Sequence, residues 1–257
     1  MKAVNVLLAL WTGLIMAFFY LPIAILVAFS FNSARLNVVW EGFTLSWYAA
    51  VWHDGPLMRS FANSLLVAGV TTAASVALGT VGAWVLERYR FRGARLLYTL
   101  VLVPMISPEV IMGVSLLILF VVLHLELGYL TIIISHVTFC FPFVLVSVQA
   151  RLAGLDPALE EAALDLGATP AGAFRRVLVP ALMPAIVSGA LMAFTLSLDE
   201  LIVTYFTASA ATRTLPLEIY GRIKKGLDPT LNAISTVFVA AAVTVVLVSE
   251  LLRRRYR

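Results

Sequence analysis

The sequence contains few charged residues and a single cysteine. Charged residues make up 12% of the 257 residues, whereas a soluble domain of this size usually carries roughly a quarter. So few charges could not cover the surface of a water-soluble globule, but they suffice for a protein whose surface is mostly covered by lipid. Cys140 has no cysteine partner, so a disulfide within the chain is excluded. With only three scattered histidines, the sequence offers no metal-ligand spacing either.

Motifs for catalysis and nucleotide binding are also lacking. No Gly-x-x-x-x-Gly-Lys-Ser/Thr phosphate loop occurs, so we expect no ATP hydrolysis, no catalytic residue and no cofactor in this chain itself. An intramembrane enzyme would need a nucleophile–base pair or a metal cluster, which one cysteine and three isolated histidines do not supply. The net charge of +4 is spread over short loops rather than gathered in a basic domain, so nucleic acid is not an expected partner.

Long hydrophobic runs dominate what is present. Hydrophobic residues make up 61% of the chain, and a helix needs about 20 of them in succession to cross a bilayer. Runs of that length fall at about 4–31, 61–86, 97–122, 127–149, 183–206 and 233–252. They do not alternate as barrel strands do, and an open sheet edge in lipid would leave backbone groups unpaired. We therefore predict an all-α polytopic membrane protein with six transmembrane helices in a single domain over residues 1–257, the first run being retained rather than cleaved.

The basic residues predict the orientation of these spans. Most of the 18 Lys and Arg residues fall near the N-terminus, at 88–95, at 150–182 and near the C-terminus. Cytoplasmic loops carry such an excess, so both termini are expected in the cytoplasm. The loop between the fifth and sixth runs fits less well, because it would carry basic residues outside (Arg213, Arg222, Lys224 and Lys225).

The longest predicted cytoplasmic loop, 150–182, has the pattern of two short helices joined by a turn. Asp156 followed by Pro157 is typical of a helix start, and Gly167 is typical of a helix end. Thr169 and Pro170 repeat the start signal, and later prolines are expected to mark re-entry into the membrane. The apolar face of the first helix needs a cover, which either the protein's own spans or another subunit could provide.

This loop resembles the EAA loop of ABC-importer permeases of the binding-protein-dependent type I class. Glu161-Ala162-Ala163 is followed by Gly167 and, after nine intervening residues, by Val177-Leu178-Val179-Pro180. The family pattern has Ile and Leu where this chain has Val177 and Val179, which are apolar and similar in size. The residues that the resemblance assigns to ATPase coupling are Glu161, Ala162, Ala163, Gly167 and Pro180.

The resemblance also implies partners and a location. The loop would insert as a coupling hairpin into a cytoplasmic ATPase subunit, with Glu161 making polar contacts and Gly167 allowing the tight turn. Two such ATPase subunits would supply ATP and Mg. A second homologous permease subunit, an extracytoplasmic substrate-binding protein and the lipid bilayer complete the expected partners. The expected location is the bacterial inner membrane.

Three acids fall within predicted spans, namely Glu109, Asp199 and Glu200. An ionisable residue inside the membrane is costly and marks a candidate functional site. No Lys or Arg lies in the central spans to pair with them, so the acids favour a cationic substrate, or serve as hydrogen-bonded structural carboxyls. Adjacent helical residues point about 100° apart, so only one of Asp199 and Glu200 is expected to face a substrate path.

Further segments are similar to the spermidine/putrescine permeases. They include 194–200, 214–220 and 232–236, with matches from residue 30 onward, so the resemblance covers nearly the whole chain. That branch often has Asp where this chain has Glu200. The resemblance implies a permease subunit of an ATP-driven importer that moves polyamines inward by alternating access. The alternatives are a related permease for opines, other amines or iron, and an ion-coupled secondary transporter.

Overall fold

A computed structural model of the chain describes residues 2–35, 39–226 and 228–255. Regular structure in these ranges is helical, apart from an isolated bridge between Asn32 and Phe43. The helices are α1 Lys2–Phe29, α2 Ser46–His53, α3 Gly55–Arg88, α4 Ala94–Ile106, α5 Glu109–Val122, α6 Tyr129–Leu152, α7 Ala158–Asp165, α8 Pro170–Ala173, α9 Val179–Asp199, α10 Ile202–Thr207, α11 Leu215–Ile223 and α12 Pro229–Arg255. The predicted all-helical fold is confirmed.

Four helices are long and apolar enough to cross a membrane. They are Asn5–Phe29, Gly55–Arg88, Tyr129–Leu152 and the continuous stretch Pro170–Asp199. The pair α4 and α5 would add a fifth crossing, bent by 114°. In α12, the described apolar part is the shorter Pro229–Thr244. The number of six spans therefore stays a prediction, whereas several membrane crossings are established.

The third predicted run, 97–122, is not one continuous helix. The helix stops at Ile106 and restarts at Glu109, with Ser107 in an extended conformation. Pro108 causes the stop because a proline disfavours helical geometry in the residue before it. The third hydrophobic run is thus two half-helices.

The fifth predicted run, 183–206, does not coincide with one helix either. Helix α9 ends at Asp199, Glu200 is extended, and α10 begins only at Ile202. At the other end, α8 runs through the π-helical turn Phe174–Leu178 into α9. The prolines that were expected to mark re-entry into the membrane therefore lie within one continuous helical stretch, since a wider turn accommodates a missing backbone donor.

The chain forms two compact units, residues 1–59 with 218–243 and residues 60–217 with 244–257. In the first unit, Arg222 holds the Asp54 carboxylate through two hydrogen bonds of 2.6 and 2.8 Å. Arg222 also donates to Glu218 at 3.0 Å. The hydrogen bond from Arg222 lowers the pKa of Asp54, burial opposes it, and the N–H of Leu57 adds to the lowering. This forked pairing ties the end of α2 to α11.

The core of the second unit is built on close packing at glycines. A Cβ on Gly79 of α3 would lie 2.7 Å from Cβ of Val144 and 2.9 Å from the backbone nitrogen of Leu145. A Cβ on Gly189 of α9 would meet Val144 at 3.1 Å from its Cα. Helix α6 is therefore contacted at one level by both α3 and α9, as small residues allow in membranes. Cys140 is buried in the same core.

Gly79→Ala tests this contact against Gly69→Ala on the same helix. The first change should lower the free energy of unfolding by about 1–3 kcal/mol, because backbone atoms of α6 must move. At Gly69 no atom lies within 4 Å of the added Cβ, so alanine should be neutral or stabilise the helix by about 0.5–1 kcal/mol. Thermal unfolding in detergent compares the two, and equal effects would contradict the packing.

Asp54→Asn should weaken the first unit in a pH-dependent way. At neutral pH the loss should be about 1 kcal/mol, since the pair is partly exposed to solvent. Because the folded-state pKa of Asp54 is lowered, its contribution is present above the ordinary value of about 3.9 and lost as the pH falls through the lower folded value. The difference in unfolding temperature between wild type and Asp54→Asn should thus shrink below about pH 4. A difference that stays constant with pH would refute this assignment.

Candidate substrate path and coupling loop

Two of the hydrophobic runs are broken, and their second halves pack together. A Cβ on Gly113 of α5 would lie 2.7 Å from Cδ2 of Phe206 and 3.4 Å from Cα of Val203, both on α10. Only glycine allows this approach. The short helices α5 and α10 therefore form one contact pair within the second unit, and the two breaks lie at their N-terminal ends.

The structure brings the three predicted acids to these breaks. Glu109 is the first residue of α5, Asp199 is the last residue of α9, and Glu200 precedes α10. Glu109 lies within electrostatic reach of both Asp199 and Glu200. Negative charge is favourable at the N-terminus of a helix and unfavourable at its C-terminus. Glu109 thus complements the dipole of its own helix, whereas Asp199 opposes that of α9.

Glu200 serves as a structural cap. Its side chain is buried, with 6% of the residue exposed, and its Oε1 accepts the backbone N–H of Val203 at 2.8 Å. This bond satisfies one of the free donors at the start of α10. Glu200 is therefore a hydrogen-bonded structural carboxyl, which is one of the two roles expected for these acids. The assignment of Glu200 to the substrate path stays a prediction.

Asp199 differs from Glu200 in exposure and contacts. It is exposed in the single chain, and no Lys, Arg or His pairs with it among the residues that the structure describes. Of these two neighbours, Glu200 has its carboxylate fixed by a backbone hydrogen bond, whereas the carboxylate of Asp199 is exposed. Their divergence follows from the break itself, because Glu200 no longer continues the helix of Asp199.

His136 of α6 bridges the break between α9 and α10. Its Nδ1 lies 2.8 Å from Oγ of Ser197, and its Nε2 lies 2.8 Å from Oγ1 of Thr204. Thr204 donates its own proton to the carbonyl oxygen of Glu200 at 3.0 Å, so it must accept from Nε2–H. In the neutral ring Nδ1 then accepts from Ser197, so the network assigns the Nε2–H tautomer.

The two hydroxyl partners of His136 were not predicted from the sequence. Ser197 and Thr204 are both buried, and each stands on a different half of the broken run. A serine and a threonine within an apolar run were the available signal, because such hydroxyls bond between membrane helices. Nothing in the pattern showed which helix would supply their partner.

The predicted coupling loop contains two helices with a turn at Gly167. Asp156 Oδ1 accepts the N–H of Ala158 at 2.9 Å at the start of α7. At its end the N–H of Ala168 donates to the carbonyl of Ala163 at 3.0 Å, and Gly167 has φ +85°. This is the glycine-dependent helix ending that the sequence predicts. Thr169 then caps α8 by accepting the N–H of Gly172 at 3.1 Å.

The residues that the resemblance assigns to coupling are mostly exposed. Glu161, Ala162, Gly167 and Pro180 are exposed and Ala163 is half-buried. Leu166 between them exposes 89% of its surface, and Leu159 exposes 44%. The first helix and Leu166 after it thus present an apolar surface with an exposed acid, which suits a protein contact. Its coupling role stays a prediction.

Glu160 departs from this pattern and was not singled out from the sequence. It is 9% exposed and pairs with Arg88 at the end of α3, with 3.3 Å between Oε1 and Nε. Trp84, one turn earlier on α3, stacks on Phe174 with ring centroids 4.4 Å apart. Both helices of the loop are therefore attached to α3.

These features define a multi-pass helical membrane protein with broken spans, clustered acids and an exposed helical loop. The chain belongs to the family described as binding-protein-dependent transport system inner membrane component, whose family model matches residues 75–257. It is therefore a permease component of a transport system in the inner membrane.

Individual relatives cover most of this chain. The spermidine/putrescine transport system permease protein PotC of Escherichia coli (strain K12) is 39% identical over 240 residues, covering 93% of this chain and 91% of that protein. The putrescine transport system permease protein PotI of the same strain is 42% identical over 231 residues, covering 87% and 82%. PotC of Haemophilus influenzae is 37% identical over 239 residues.

Solved structures share the fold. A bacterial ABC transporter involved in the import of alginate, an acidic polysaccharide, matches with a TM-score of 0.76 at 17% identity and covers 100% of this chain and 97% of that chain. The MetNI methionine ABC transporter, in inward-facing conformations, matches with a TM-score of 0.67 at 18% identity, covering 81% and 98%. At these identities the likeness establishes the fold of ABC importer permeases and leaves the cargo open.

Glu200→Ala and Glu200→Gln separate the capping function from the charge. Alanine should lower the free energy of unfolding by about 1 kcal/mol, because the N–H of Val203 loses its acceptor. Glutamine keeps an acceptor oxygen at the same position and should stay close to wild type. Thermal unfolding in detergent measures both, with Asp199→Asn as the matched control that should not lower stability, because the charge of Asp199 is unfavourable at the end of α9. Equal destabilisation by Ala and Gln would contradict the cap.

Proposed function

We propose that this chain is the permease subunit of an ATP-driven importer that carries polyamines such as spermidine or putrescine into the cytoplasm. The observation that carries the proposal is the group of three carboxylates at the two helix breaks, in a chain whose relatives are named as polyamine permeases over most of its length. A polyamine is a flexible polycation, and carboxylates are its natural counterparts.

Asp199 is the residue that contacts the cargo in this proposal. Its exposed carboxylate has no cationic partner among the described residues and lies at the C-terminal end of α9. The negative end of the helix dipole adds to the attraction for an ammonium group. Glu109 contributes charge from the start of α5, and Glu200 contributes charge while it fixes the start of α10. So few acids favour passage over tight capture, which is left to an extracytoplasmic substrate-binding protein.

Energy comes from partner subunits in this proposal. The loop 150–182 docks as a coupling hairpin on a cytoplasmic ATPase through Glu161, Ala162, Ala163, Gly167 and Pro180. Two ATPase subunits hold ATP and Mg, and a second homologous permease completes the path. Closure and reopening of the two ATPase subunits drive alternating access in the permease pair. The chain then acts as one permease domain with six spans and both termini in the cytoplasm.

Uptake of labelled spermidine and putrescine by cells that lack the chain tests this proposal. Wild type should restore uptake, and Asp199→Asn should lower it on the order of tenfold, as expected for losing one contact to a charged group. Glu126→Gln is the matched control, because Glu126 is also exposed but lies between helices α5 and α6, and it should leave uptake unchanged. All variants should co-purify with the ATPase.

Two results would overturn parts of the proposal. Wild type that restores neither substrate, while the ATPase still co-purifies, would keep the importer and exclude polyamine cargo. Uptake that persists without the ATPase and follows an ion gradient would favour the secondary transporter.

A further inference from the structure

We infer that α3 transmits the movement of the loop 150–182 through the second unit to the segment 208–215, and that Arg88 and Glu160 are the positioning residues at its loading end. The inference rests on the proposed function, since it assumes an ATPase that moves the loop. It assigns a mechanical role to an ion pair that lies outside both the cargo contacts and the docking surface.

The loop is attached to one face of α3 at two points. Arg88 pairs with Glu160 of α7, and Trp84 stacks on Phe174 at an interplanar angle of 28°. Residues four apart on a helix lie on the same face, so both halves of the loop are held by adjacent turns of α3. Movement of the loop as one body would therefore load α3 directly.

Within the second unit α3 is suited to carry such a load. It is helical from Ser60 to Arg88 without interruption, a length of about 43 Å at the usual rise per residue. Of the other hydrophobic runs in this unit, one is broken at Ser107 and another at Glu200. Between the two ends of this stretch, Gly79 holds α3 against α6. A continuous helix transmits displacement along its axis, whereas a broken one bends at the break.

The other end of this stretch is also fastened. Asn63 donates from Nδ2 to the carbonyl of Arg213 at 2.9 Å and accepts the hydroxyl proton of Tyr129 at 2.6 Å. Ser64 Oγ accepts the N–H of Leu215 at 2.8 Å. Both Asn63 and Ser64 are buried. The segment that follows α10, and with it the helix next to the acids, is therefore bound to the far end of α3.

Arg88 and Glu160 can be altered without dismantling the loop. The caps of α7 and α8 come from Asp156 and Thr169 inside the loop, so each helix keeps its own start. Glu160, however, has a side chain only 11% exposed. Removing Arg88 leaves this carboxylate without its ion pair, and the loop should lose its fixed position on α3.

The test compares Arg88→Glu, Glu160→Arg and the double variant that swaps the two charges, each in the complex with its ATPase. Each single variant should lower uptake per ATP hydrolysed on the order of fivefold or more, while the ATPase still co-purifies and hydrolyses ATP. The swapped pair should recover at least half of the coupling. Arg92→Glu is the matched control, because Arg92 is exposed in the connection between α3 and α4. This variant should behave as wild type.

A second readout does not depend on the cargo. Ala211→Cys places a thiol on the exposed part of the segment 208–215, and the native Cys140 is buried. In the complex, ATP should change the rate of maleimide labelling at this position. The single variants Arg88→Gln and Glu160→Gln should abolish the change, and the swapped pair should restore it. These neutral variants replace the charge-reversal variants if the latter do not assemble into the complex.

The outcomes separate the inference from the proposed function. If neither polyamine is taken up but the labelling results are as stated, the cargo is wrong and the role of α3 stands. An ATP-dependent labelling change that survives in both glutamine variants would overturn the inference. A swapped pair that recovers nothing, or an Arg92→Glu variant as impaired as the single variants, would overturn it as well.

Discussion

Backbone groups inside a membrane must find partners within the protein, and the centre of this structure depends on meeting that requirement at two helix breaks. Water cannot satisfy the free N–H and C=O groups there. At the second break, Glu200 accepts one N–H of α10 and His136 joins hydroxyls on both sides. A break without such partners would be costly in lipid, so polar side chains in these runs are a structural requirement before they are anything else.

This requirement divides the work among the acids. A carboxylate that caps a helix is held in place and partly neutralised by the dipole, so Glu200 is a poor candidate for releasing a cation on each cycle. Asp199 meets neither condition, because it is the last residue of α9 and lies at the negative end of that helix dipole. At this break the carboxylate of Glu200 is therefore bound by the backbone, while that of the neighbouring Asp199 is exposed.

Much of this could be read from the sequence, for physical reasons that differ between elements. The length of the hydrophobic runs predicted helices, and local capping residues predicted the turn at Gly167. The breaks were not predictable, since Pro104 and Pro142 also lie inside apolar helices and interrupt neither of them. At Pro108 the local effect of the proline is accompanied by a tertiary contact, the close packing of α5 against α10 at Gly113. The pairing of Arg88 with Glu160 likewise joins residues far apart in the chain, and no local pattern encodes it.

The bend between α4 and α5 has a consequence for how the protein is made. Helices of 13 and 14 residues reach only about 20 Å, which is less than the hydrocarbon core of a bilayer. The run is synthesised before α10, the element that packs on α5 through Gly113. We therefore expect the bent arrangement to be completed only after synthesis has passed residue 207.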